Sequence, residues 1–137
     1  LAARYYLEAL RWDSTLAESH NNLGLLLHKK GELDKAIEQY ERAVRFAPES
    51  GFYSSNLGSA YLQTDRLDIA RTTAERAITQ DSTLTSALVL LGEIHLREGN
   101  IAQAISQWET AATKGANSEK LRAKIVDAQQ RLAAQKQ

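Results

Sequence analysis

The hydrophobic and small residues of this 137-residue chain return at a fixed interval of 34 positions. Leu23-Gly24 comes back as Leu57-Gly58 and as Leu91-Gly92, Ala36 as Ala70 and Ala104, and Ala43 as Ala77 and Ala111. Between these anchors the apolar positions keep the three- and four-residue spacing of helices, not the alternation of strands. The pattern predicts helices over 1–13, 17–30, 33–47, 51–64, 67–81, 85–98, 101–114 and 118–134. Glycine inside a helix costs about 1 kcal/mol against alanine. Its recurrence at Gly24, Gly58 and Gly92 therefore implies a recurring need, most simply the close approach of a paired helix. Alanines seven residues apart lie on one face of the second helix and let the two helices of a pair lie close. Gly31 and Gly99 fall between paired helices, where a positive φ is useful, and Asp65 takes that place in the middle copy. Pro48 stands at the stop of the helix over 33–47.

A period of this length marks a helix–turn–helix solenoid. On these residues the chain resembles the tetratricopeptide repeat family. The resemblance implies an all-α fold, a right-handed superhelical solenoid of antiparallel helical hairpins. It implies a single domain over 1–137, with full repeats at 17–50, 51–84 and 85–118. Residues 1–16 would be the second helix of an incomplete repeat, with Ala2, Tyr6 and Ala9 at its small, large and small positions. Residues 119–137 would be a C-terminal capping helix, with Leu121, Ile125, Ala128 and Leu132 as its apolar stripe. The family's packing positions are altered. Its early tryptophan position holds His20, Ser54 and Leu88, and its first-helix tyrosine position holds Leu27, Tyr61 and His95. Its second-helix aromatic position holds Tyr40, Ala74 and Trp108. These swaps bear on packing and leave the small-residue skeleton intact.

Composition narrows the function classes. Lys+Arg and Asp+Glu both number 17, so the formal charge is zero and there is no electrostatic footprint for nucleic acid. No cysteine is present, which excludes disulfides and thiolate metal sites. No run of about 18 apolar residues offers a membrane span. The opening Leu-Ala-Ala-Arg-Tyr-Tyr is not a signal peptide, and the chain holds no methionine, so we read it as a piece of a longer protein. Tyr6, Ala9 and Leu10 would then expect a preceding helix to cover them. Left exposed, residues 1–13 would invite self-association. The last helix is basic, with Lys120, Arg122, Lys124, Arg131 and Lys136 against Glu119 and Asp127. It reads as a solvating cap, with a basic docking helix as the alternative.

Candidate chemistry is sparse. His20, His28 and His95 do not form a metal-spaced set, and His20 and His95 fall on packing positions. There is no phosphate loop and no nucleophile elbow. The chain is expected not to be an enzyme and to need no cofactor or metal.

The resemblance also implies a concave groove lined by the first helix of each pair. Its residues would be Glu18, Asn21, Asn22, Leu25, His28 and Lys29; then Phe52, Ser55, Asn56, Ser59, Leu62 and Gln63; then Ser86, Val89, Leu90, Glu93, Leu96 and Arg97. Helical spacing supports this, since they lie away from Leu23, Leu57 and Leu91. His28 is the one histidine that would face the groove. Asn22 and Asn56 are equivalent, and amides both donate and accept hydrogen bonds, so a ladder of them could hold a partner's backbone. Leu90 takes the third rung. The family's carboxylate clamp would need a lysine where Asn21 stands, an asparagine where Leu25 stands and basic residues where Ser86 and Leu90 stand, and only Asn56 matches. The expectation is a protein–protein interaction scaffold that binds an extended or helical, uncharged and partly apolar partner segment. Two other readings stay open: an architectural or oligomerisation segment, and a docking arm of an enzyme whose catalytic domain lies outside this chain.

Overall fold

A computed structural model describes residues 3–5 and 16–137 of the chain. Among the described residues, 3–5 are helical and seven longer helices follow. They are α1 (Ala17–Lys29), α2 (Leu33–Phe46), α3 (Gly51–Gln63), α4 (Leu67–Gln80), α5 (Thr85–Arg97), α6 (Ile101–Thr113) and α7 (Glu119–Gln135). Each boundary lies within one residue of the helix expected from the repeat. The expected self-associating face, residues 1–13, lies outside the described residues apart from 3–5.

Helices α1 and α2, α3 and α4, and α5 and α6 pack as hairpins. The second helix of each hairpin packs on the first helix of the next, and α7 closes on α6 in the same way. Helices α3 and α5 also touch, so first helices lie side by side along one face of the stack. Each hairpin turns through a residue in the left-handed region: Gly31 at φ +82°, Asp65 at +62° and Gly99 at +85°. Such backbone is free of steric cost only for glycine.

The core lies inside and between the hairpins. The skeleton alanines Ala36, Ala43, Ala70, Ala77, Ala104 and Ala111 are all fully buried. Above them the mid-helix glycines meet the partner helix. A Cβ on Gly24 would lie 2.6 Å from the Tyr40 ring, and one on Gly92 would lie 2.3 Å from Trp108 Nε1. The middle hairpin departs, because Ala74 stands at the aromatic position. There Leu90, arriving from α5, fills the space, and a Cβ on Gly58 would lie 3.0 Å from Leu90 Cδ2. Trp108 Nε1–H donates to Val89 O at 3.1 Å, so its buried nitrogen is satisfied.

Polar contacts link neighbouring repeats along both edges. Arg66 donates to Asp34 at 3.2 Å, and Arg97 to Asp65 at 3.3 Å. Arg71 of α4 pairs with Glu98, whose other oxygen is 3.5 Å from His95 Nδ1. Lys114 Nζ donates to Ser82 O at 2.7 Å, and Gln80 and Arg76 both donate to Pro48 O. The two exposed arginine–aspartate pairs contribute little individually. His20 is buried, stacks on Phe46 at 5.8 Å and pairs through Nδ1 with Gln39 Oε1 at 2.9 Å, which is a packing role.

Two predictions follow from this packing. Gly92→Ala and Gly24→Ala should each destabilise the chain by about 1–3 kcal/mol through overpacking. Gly58→Ala should cost less, since the flexible tip of Leu90 can give way and alanine favours the helix. Urea unfolding of the three variants checks the order. Burial pushes the hydroxyls of Tyr40 and Tyr61 up to about 12, that of Tyr61 with help from its hydrogen bond to Glu41. A raised pKa stabilises the fold fully below the ordinary tyrosine value of about 10 and loses that contribution as pH climbs toward about 12. Tyrosinate absorbance should therefore show these two rings still neutral at about pH 11, where exposed tyrosines have largely ionised.

Candidate functional site

The side-by-side first helices, α1, α3 and α5, present the surface that the repeat pattern singled out. Of the candidate residues, Leu25, Lys29, Phe52, Gln63 and Arg97 are exposed, as are Glu18 and Ser86. Asn22, His28, Asn56, Ser59, Val89 and Glu93 are half-buried, with Leu62 and Leu96. Leu25 is 41% exposed and Phe52 is 52% exposed, on first helices of neighbouring hairpins.

Three candidates lie elsewhere than the sequence pattern implied. Asn21, Ser55 and Leu90 are buried, at 2%, 6% and 7% exposure. The reason differs for each kind of residue. Leu90 drops into the gap left by Ala74 and joins the core with Leu57, Ala70 and Leu91. Asn21 is covered where neighbouring first helices meet, and its Oδ1 accepts a hydrogen bond from Asn56 Nδ2 at 3.0 Å. Asn56 thus joins two repeats through Asn21, using one of its amide hydrogens, while Asn22 and Asn56 both stay half-buried. A buried amide oxygen needs such a partner.

His28 is likewise engaged. Gln63 Oε1, 2.9 Å from Nε2, accepts the ring proton, and Nδ1 accepts from the Tyr40 hydroxyl at 3.1 Å. The rings of His28 and Tyr40 meet edge to face at 5.9 Å. His28 therefore braces α1 against α2 and α3, and both its nitrogens are occupied. Glu93 pairs with Lys124 of α7 and Arg97 with Asp65, so both candidate charges of the third repeat are matched within the fold. Among the described residues no group of three His, Asp or Glu could hold a metal ion, and no helix is long and apolar enough to cross a membrane.

The basic last helix, expected chiefly as a solvating cap, also borders this surface. Helix α7 keeps the 34-residue register, so Lys120 and Lys124 stand where Ser86 and Leu90 stand one repeat earlier. They border a cavity of about 470 Å³ against Val89, Ala116 and Leu121. Extending the register past the third copy would have placed both lysines on the concave side.

Comparisons with known proteins agree with this architecture. Models described as tetratricopeptide repeat match residues 17–50 and 55–119, together most of the chain. The chain belongs to the tetratricopeptide repeat family. Among curated proteins, the BBSome complex member BBS4 of Bos taurus is 29% identical over 119 residues, 78% of this chain and 23% of that protein. The chain spans less than a quarter of the length of the curated relatives it matches. Among solved structures, the crystal structure of MamA superposes with a TM-score of 0.87 at 24% identity, covering 96% of this chain and 77% of that one. The first tetratricopeptide domain of Spaghetti (RPAP3), bound to the HSP90 peptide SRMEEVD, superposes at 0.83 and 21% identity, covering 88% of this chain and 96% of that one. At these identities the structural likeness is one of fold. Against the tetratricopeptide clamp positions named above, two residues, Asn21 and Leu90, are buried here and Leu25 is apolar.

Because Leu90 is a core residue, Leu90→Asn does not complete an asparagine ladder. It should destabilise the tetratricopeptide fold by about 2–4 kcal/mol, combining a lost aliphatic contact with a buried amide. A shift of the urea midpoint with an unchanged slope is the expected record.

Proposed function

We propose that this chain is a protein–protein interaction scaffold that holds a segment of a partner protein in the concave groove formed by α1, α3 and α5. The observation that carries the reading is the exposure of Leu25 and Phe52 on the face formed by the first helices. Apolar side chains of a bound segment would be desolvated there, at about 25 cal/mol per Å² of apolar surface covered. Around them, Asn22, Ser59 and Gln63 supply donors and acceptors that an extended backbone or the polar flank of a helix can use. The matched charges of the third repeat favour a partner segment that is uncharged where it crosses α5. Membership of the tetratricopeptide family and the peptide bound by the Spaghetti (RPAP3) domain support a binding role rather than catalysis. Since the matched relatives are several times longer, the module would act as one arm of a larger protein.

The test selects ligands from a library of random displayed peptides and measures them by fluorescence anisotropy. Phe52→Asp combined with Leu25→Asp should weaken the selected peptides at least tenfold. Circular dichroism should stay helical, because both positions are exposed and such changes usually cost within about 0.5 kcal/mol. Unchanged affinity in the double variant would move the binding surface off this groove.

A further inference from the structure

The cavity between α5, the 114–118 turn and α7 is walled on its inner side by Val89, Ala116 and Leu121. Leu121 is 4% exposed, so it forms a fixed apolar floor. The rim carries Lys120 and Lys124, and no carboxylate lines the space. The two lysines differ in state. Lys124 is held in place by Glu93 and sits 6.0 Å from the centre of the Trp108 ring. Lys120 is exposed, and its ammonium pairs with no carboxylate among the described residues. Other rim groups have donors to spare. Asn117 uses both its oxygens to accept from Arg122, at 3.0 and 3.2 Å, which leaves its amide hydrogens to give. Ser118 Oγ accepts from Leu121 N at 3.1 Å and keeps its own hydrogen.

An apolar floor ringed by hydrogen-bond donors and an unpaired ammonium is complementary to one chemistry: an aliphatic side chain next to a carboxylate. A volume of about 470 Å³ is in the range of small-ligand sites, which run from about 300 to 1,000 Å³. We infer that this cavity is the acidic end of the partner track, taking an aliphatic residue of the partner segment on Val89 and Leu121 and the neighbouring Asp or Glu side chain on Lys120. This rests on the reading of the chain as a module that holds a partner segment. It adds polarity to that reading, because it fixes which part of the segment carries negative charge and which end of the groove receives it. Charge pairs at such a rim chiefly govern register and rate of encounter.

The test uses short probes that reach this cavity alone. The ¹⁵N-labelled chain is titrated with acetyl-Gly-Leu-Asp-Gly-amide and, separately, with the same peptide carrying Asn for Asp or Ala for Leu. The Leu-Asp probe should shift the amides of Gly115, Asn117, Leu121 and Lys124 in a saturable way, and leave those of α1 in place. The Asn and Ala probes should each bind at least fivefold more weakly. In Lys120→Glu, an exposed change that leaves the fold intact, the preference for Asp over Asn should vanish. No saturable shift, equal response to Asp and Asn, or an unchanged preference in Lys120→Glu would each overturn the assignment. None of these results depends on Leu25 or Phe52, so the groove can fail while this cavity stands, and the reverse.

Discussion

Everything in this fold hangs on the close approach of the two helices of a hairpin. Helices pack at about 8–10 Å between axes, according to the side chains at the contact. Fully buried alanines on the second helix and a glycine on the first bring the backbones together here. The space opened at each glycine is then taken by one bulky group: Tyr40 at Gly24, Trp108 at Gly92 and Leu90 at Gly58. The third case differs in kind, because its filler comes from the next hairpin rather than from the same one. A substitution inside repeat two thus decides the fate of a side chain in repeat three. Coupling of this sort is confined to nearest neighbours in a solenoid, as the architecture requires.

The same constraint shapes the candidate binding surface. Packing between first helices covers Asn21, the Ala74 gap takes in Leu90, and Ser55 is buried as well. What remains outward is a mixed surface with Leu25 and Phe52 as its large apolar members. Side-chain hydrogen bonds brace it: Asn56 to Asn21, and His28 to both Tyr40 and Gln63. A braced surface loses less freedom when a partner settles on it, which favours affinity.

Much of the fold was legible in the sequence. The period of 34 set every described helix to within a residue, because small and large residues recur in register and the turns are marked by Gly31, Asp65 and Gly99. The groove was legible only in outline. Helical spacing says which face a residue is on, yet it cannot say whether a neighbour covers it. Leu90 and Asn21 sit on the expected face and are nevertheless covered. Lys120 and Lys124 were visible as part of a basic last helix, which reads first as a solvated end; their place beside Val89 emerges only when the register is carried into that helix. Charges at 93 and 97 summed to zero in the sequence, and their pairing with Lys124 and Asp65 became visible only in three dimensions.

The central claim is that the first helices of the hairpins, and not the second, carry the binding surface. Hydrogen–deuterium exchange of the chain with and without a saturating selected peptide tests it most directly. The account predicts added protection in α1, α3, α5 and the start of α7, with α2, α4 and α6 unchanged. Protection concentrated in α2 and α4, with the first helices unaffected, would contradict it.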